Sequence, residues 1–282
     1  MTLYLPLKIK SLLKNKHLIF WSIVFVDFWV VLWFFVFSRG SLPSNMVIYN
    51  EAAAFAYLGI ISIASLAVSF TYAFGFQATA LRYLTRFTRL TPGKYLLEDT
   101  VASLVTYALV IAILYISVSV CTYLKYHVVP SPANVPGLIV CLLACGVLLH
   151  VMSIFLALLC FAIGAPRSIN YVSAIPLMVG FIAYGTCFAG YGPATEAIAY
   201  ANPFNVMAYL ILYYFTGKVP PVASYFEYVF STYLMHKTVN VPLVDLRLAA
   251  ISLIVWMVAL SLISLFLVRK IRALSVYELM TA

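Results

Sequence analysis

Leu248-Ala249-Ala250-Ile251-Ser252-Leu253-Ile254-Val255-Trp256 opens the last long apolar stretch of the chain, and its reading decides the fold. Apolar residues follow one another here without the alternation of a membrane barrel strand, in which lipid-facing and lumen-facing positions alternate over about 10 residues. A backbone inside lipid must satisfy its own hydrogen bonds, and for a continuous apolar segment that means a helix. The stretch reaches residue 268, and about 20 residues are what a helix needs to cross the hydrocarbon core.

Five more runs have this character, at 17–37, 52–76, 100–123, 137–163 and 170–190. The 282-residue chain is 65% hydrophobic and only 9% charged, with a mean hydropathy of +1.05. Soluble domains are about 25% charged, so there is too little polar surface here to coat a water-soluble globule. The expected fold is an all-α integral membrane protein, a single transmembrane domain over 1–282 with six spanning helices. Twelve Gly and 13 Pro exclude a collagen-like or Gly/Pro-rich disordered chain. Cys121, Cys141, Cys145, Cys160 and Cys187 lie in or beside apolar runs without CxxC or Cys/His spacing, and read as small hydrophobes in packed helices.

The net charge of +9 is read as membrane flanks rather than as nucleic-acid binding. Lys8, Lys10, Lys14, Lys16, Arg82, Arg86, Arg89, Lys94, Arg167, Arg269, Lys270 and Arg272 fall on one side of the six spans, 12 in all. Arg39, Lys125, Lys218, Lys237 and Arg247, five residues, fall on the other. The positive-inside rule then puts both termini in the cytoplasm of a multi-pass cell-membrane protein. The first apolar run is about 21 residues and has no small-residue cleavage site, so it is read as a span and not as a signal peptide. No internal repeat points to an inverted-repeat carrier.

Three segments are not simple spans. Residues 1–16 carry Leu5, Ile9, Leu12 and Leu13 toward one helical face with lysines around the other, the pattern of an interfacial helix. Residues 80–91 place Arg82, Arg86 and Arg89 on one face and Leu81, Leu84 and Phe87 on another, with Thr91-Pro92 marking a break and a new helix start. A short amphipathic helix is therefore expected between spans two and three. The third is the external connection 191–247. There, Ala194 to Ala201 and Pro203 to Phe215 are two apolar helical stretches broken at Asn202-Pro203, each too short to cross alone. They are expected to form a re-entrant hairpin in the outer leaflet, its break buried by protein.

These segments, in this order around six spans, resemble the permease subunits of type-2 ABC exporters, a family moving drugs, polysaccharides and lipids. The closest likeness is Gln77-Ala78-Thr79-Ala80-Leu81-Arg82-Tyr83-Leu84 through Leu90-Thr91-Pro92, similar to the family's coupling-helix region, with Ala78 where a Gly is usual. Asn202-Pro203-Phe204 resembles the outer hairpin between the last two spans. The resemblance implies that Leu81, Arg82, Leu84, Arg86, Phe87, Arg89 and Leu90 dock on a cytoplasmic ATPase subunit. It also implies that residues 1–16 are a connecting helix beside that site, and that a second permease copy, identical or not, completes the pathway.

The motor itself is absent from this sequence. A phosphate-cradling loop needs G-x-x-x-x-G-K-[ST]. Gly93-Lys94 and Gly217-Lys218 have Thr88 and Leu212 where the first Gly belongs, and Tyr95 and Val219 after the Lys. No cofactor is expected in this chain, and ATP and Mg belong to the partner ATPase.

Asp27 and His150 are ionisable residues in mid-span. An acid at a helix centre costs about 2.5–3.5 kcal/mol on insertion scales, so Asp27 should face the bundle or a water-filled cavity. Either a substrate or proton contact, or a tie between helices, satisfies that demand. With His150 it would make a relay for a proton-coupled carrier, the alternative to ATP-driven export; a non-transporting scaffold subunit is a third reading. The eight acids are scattered and His17, His127, His150 and His236 share no spacing motif, so neither a metal site nor an enzyme is expected. The aromatic residues, Trp21, Trp29, Trp33 and Trp256 among them, suit interface belts, helix packing or a path for amphipathic cargo.

Overall fold

A computed structural model describes the backbone of residues 4–38, 42–87, 92–237 and 240–270; of these, side chains within 76–93, at 95–96 and from 268 onward are outside the described set. The described residues are predominantly helical. Among the described residues the one departure toward β structure is an antiparallel bridge between Pro221 and Leu243.

The chain runs α1 (Tyr4–Leu13), α2 (Lys16–Phe37), α3 (Ser44–Phe87), α4 (Pro92–Tyr126), α5 (Val135–Ala162) and α6 (Pro166–Thr186, with a turn at Ser173-Ala174). It continues through α7 (Pro193–Ala201), α8 (Pro203–Thr216), α9 (225–234) and α10 (Leu246–Lys270). Six of these helices are long and apolar enough to cross a membrane: α2, α3, α4, α5, α6 and α10. The protein is thus a multi-pass, all-helical membrane protein. Short polar side chains set where the helices begin, each accepting from orphan N–H groups of a first turn. Asn15 Oδ1 accepts from His17 N and Leu18 N, Asn134 Oδ1 from Gly137 N, and Asp245 Oδ1 from Arg247 N and Leu248 N.

Helix α3 is the centre of the bundle. Of its most apolar stretch 94% is buried, against 22–44% for the other five spans. It packs against α4, α5, α6 and α8. Close approach to α6 depends on Gly180: a Cβ there would sit 3.0 Å from the Ala64 methyl, the small-residue contact that membrane helices use in place of a hydrophobic driving force. Its hydroxyls are satisfied within the bundle, as by Ser65 Oγ to Ile61 O and Thr71 Oγ1 to Ala67 O.

The span expected at 52–76 begins earlier, at Ser44, and the helix continues without a break to Phe87. Forty-four residues make about 66 Å of helix, roughly twice the hydrocarbon thickness. Residues 81–87 are thus the last turns of α3 rather than a separate short helix. Leu81, Arg82, Leu84, Arg86 and Phe87 lie on this backbone with their side chains outside the described set, and Thr88, Arg89, Leu90 and Thr91 lie outside the described residues altogether. The new helix start at Pro92 is as expected.

Helix α2 carries two π-helical stretches, Phe20–Val24 and Trp33–Phe37. Such stretches disturb the regular carbonyl pairing, and neighbouring helices meet both. Ser62 Oγ donates to Ser22 O at 2.8 Å, and Lys125 Nζ donates to Phe34 O and Ser38 O.

The break expected at Asn202-Pro203 is present. Asn202 is extended, its Oδ1 accepts from Phe204 N at 2.9 Å, and its Nδ2 donates to Val179 O at 3.1 Å in α6. Helix α8 is buried along most of its length against α3, α5, α6 and α10, and Gly217, in the left-handed conformation at φ +68°, ends it. Asn202→Ala removes a cap and an inter-helix hydrogen bond together. We expect a loss of about 2 kcal/mol, read as a lower melting temperature by tryptophan fluorescence in detergent.

Candidate functional site

Two places in the bundle combine polar chemistry with burial, and they lie at opposite ends of α3. The first is where α1 meets α4. Leu5, Ile9 and Leu12 of α1 pack on the core as the sequence pattern requires, but Leu13 is 37% exposed and Lys8 is turned inward. Positions 5, 8, 9 and 12 share a helical face, so the buried face takes in Lys8 and leaves Leu13 out.

The reason is Asp99. Its Oδ1 is 2.6 Å from Lys8 Nζ and accepts from Tyr4 OH at 3.3 Å, with both members of the ion pair buried. Burial pushes the Lys8 ammonium below the ordinary lysine value, and the Asp99 carboxylate opposes that shift. The Phe74 ring covers the ammonium at 5.6 Å and meets the His150 ring edge-on at 5.4 Å. His150 Nε2 is 2.9 Å from Thr100 Oγ1. His150 therefore belongs to a polar seam that joins α1, α3, α4 and α5.

Asp27 is not part of that seam. It is half-buried in α2, within hydrogen-bonding reach of Ser117 in α4. Thr100 and Ser117 are 17 residues apart on α4, about 25 Å along its axis. The two residues singled out as a possible relay are thus held apart, each with a hydroxyl partner of its own.

A more deeply buried acid escaped the sequence reading. Glu51, fully buried in α3, accepts from Ser119 Oγ at 3.1 Å. Its charge stood at the edge of an apolar run, so a rule that stops at charges placed it just outside the span.

The second place is a cavity of about 490 Å³ at the other end, about 36 Å along α3 from Phe74 to Asn50. Helix α2 contributes Trp29, Trp33 and Phe37, the start of α3 contributes Tyr49 and Asn50, the end of α6 contributes Tyr184, and Phe188 and α9 close it with Phe226. Rings pack against one another around it: Phe188 stacks on Phe226 at 5.5 Å, and Trp33 lies 5.4 Å from Phe226. Trp33 Nε1 donates to Asn50 Oδ1 at 3.2 Å, whereas Asn50 Nδ2 has no acceptor among the described residues. A buried donor left so costs about 1–3 kcal/mol. Volume and mostly apolar walls with a few polar residues, here Ser38, Asn50 and the tyrosines Tyr49, Tyr184 and Tyr225, are the attributes of a small-molecule site. Of the four tryptophans only Trp29 and Trp33 line it; Trp256 is engaged elsewhere, donating to Ala201 O.

Comparisons with known proteins find no family model that matches the chain and no curated protein that matches it. The class is therefore defined by fold and site alone: a membrane bundle of six spans, one of them central, with a polar seam at one end and an aromatic cavity at the other.

Proposed function

We propose that this chain is the membrane-spanning subunit of an ATP-driven exporter of the type-2 ABC kind. In this reading it works as a dimer in the cell membrane, both termini in the cytoplasm, with ATP and Mg bound by a separate ATPase subunit. The observation that carries it is the way the connection between spans two and three is anchored. On one side α3 enters it as the continuation of the helix at the bundle's centre. On the other, α4 leaves it with Asp99 in its first turns bound to Lys8 of α1.

A soluble motor pushing on residues 80–91 would therefore push on rigid elements. Motion at that end would be carried along α3 to Asn50 and the aromatic cavity, by rigid-body shift rather than by local rearrangement. Helices α7 and α8, broken at Asn202 and packed against α6 and α10, with α8 buried along most of its length, support a re-entrant hairpin that closes the pathway on the outer side. A proton-coupled carrier would need a relay spanning the roughly 25 Å along α4 between the partners of Asp27 and His150.

The test is co-purification in mild detergent followed by assay of ATP hydrolysis. A stoichiometric ATPase partner is expected. Replacing Arg82, Arg86 and Arg89 by Glu is expected to abolish substrate-stimulated hydrolysis while the chain still inserts. Unchanged stimulation in the assembled complex refutes the coupling role of 80–91, and purification without any ATPase in several detergents refutes the exporter reading itself.

A further inference from the structure

Helix α1 sits at a defined depth. Lys8, near its middle, pairs with Asp99, two residues past Leu97, where the apolar span of α4 begins. Beyond Leu13 the chain turns at Asn15, whose Oδ1 caps α2, and the apolar span of α2 starts at once, at Lys16. Leu97 is exposed on the outside of the bundle. These two attachments fix α1 level with the ends of two spans, where hydrocarbon gives way to headgroups.

The face that α1 turns away from the bundle carries one sign of charge. Lys14 N donates to Lys10 O, so position 14 keeps the helical register, and positions 7, 10 and 14 share a face. Leu7, Lys10 and Lys14 are exposed on it. Lys16 and His17 extend the exposed surface past the turn. One turn deeper, Phe20 and Trp21 are exposed as well, the Trp21 ring 6.1 Å from that of His17. Residues 4–21 contain no acid, and Asp99 is already held by Lys8 on the opposite, buried face.

From this depth and charge we infer that the elbow between α1 and α2 binds anionic phospholipid, its headgroup phosphate against Lys10, Lys14 and Lys16 and its acyl chain against Phe20 and Trp21. Lysine suits the place: its stem lies along apolar surface while the ammonium reaches the phosphate layer. A zwitterionic lipid brings a cation of its own to the same spot and gains less from the three lysines. With the N-terminus in the cytoplasm, as proposed above, α1 meets the leaflet that carries anionic lipid. The binding itself does not depend on the exporter reading.

The test reads Trp21 alone, in a Trp29→Phe/Trp33→Phe/Trp256→Phe background of the full chain. Nanodiscs of one composition, phosphatidylcholine with a minor share of phosphatidylglycerol, carry acyl-chain bromine on the phosphatidylglycerol or on an equal share of the phosphatidylcholine. Brominated phosphatidylglycerol is expected to quench as though enriched about 10-fold beside Trp21, and added salt is expected to shrink the excess. Lys10→Gln/Lys14→Gln/Lys16→Gln should bring the two lipids to parity, whereas the matching Arg variant keeps the preference. Should the Gln variant fail to fold, the salt series on the parent tests the same charges. Equal quenching by the two lipids overturns the inference and leaves the lysines to water or to a protein partner. A preference that survives the Gln variant overturns it too. So does one that soluble glycerol phosphate abolishes, which assigns the site to a free phosphate compound instead. Lipid parity with ATP hydrolysis still coupled removes this inference alone; a preference without any ATPase partner removes the exporter reading alone.

Discussion

Lys8→Ala is expected to destabilise the protein by about 3–5 kcal/mol, because it leaves Asp99 buried without its counter-charge. The double variant Lys8→Met/Asp99→Leu removes both charges and keeps the volume, and it should recover most or all of that loss. Burial holds the Lys8 ammonium below its ordinary value despite the carboxylate beside it, and a buried ion pair is often replaced by apolar residues of similar volume at little or no cost. Thermal unfolding in detergent, followed by tryptophan fluorescence, distinguishes the three proteins. If the single and double variants melt alike, the pair is not the clamp its geometry indicates. The double variant also separates stability from coupling. Should it fold normally yet hydrolyse ATP without stimulation in the assembled complex, the α1–α4 attachment would be needed as an ion pair, not merely as a packed contact.

Phe215→Ala is expected to cost about 3 kcal/mol, the second largest effect. Phe215 is fully buried near the end of α8, 5.9 Å from the Phe55 ring and 6.4 Å from that of Tyr115, so one side chain ties α8 to both α3 and α4. Truncation leaves a cavity that three helices cannot all close. In lipid the lost term is chiefly packing, since the bilayer is as apolar as the core, which puts the expectation at the low end for a buried aromatic. Phe215→Leu should lose far less. Equal melting temperatures for the Ala variant and the parent would mean that α8 is held by its flanking contacts instead, Asn202 at one end and Gly217 at the other.

The spans and the break at Asn202-Pro203 were legible because each rests on local sequence. An apolar run of about 20 residues admits one structure in lipid, and an Asn-Pro pair ends one helix and caps the next whatever surrounds it. Two of the errors have a common origin in side chains whose role depends on a distant partner. Lys8 was assigned to the solvent face because nothing within α1 shows Asp99, 91 residues away in the chain. Glu51 was read as a boundary because nothing in α3 shows Ser119. A different origin lies behind residues 80–91, expected as a short helix of their own because their charges end the apolar run: charge does not interrupt backbone hydrogen bonding, and α3 runs on to Phe87.

What the sequence determined by itself was the solvent: a chain with 65% hydrophobic residues in six long runs belongs in a bilayer and must be helical there. Tertiary structure alone decided which helix is central, which lysine is buried, and where the aromatic residues gather. Trp33, Asn50, Phe188 and Phe226 are spread over nearly 200 residues of chain, and only the packing of α2, α3, α6 and α9 makes them neighbours. Helix formation depends on contacts a few residues apart, which a sequence displays, whereas a cavity depends on faces that meet only after the helices have packed.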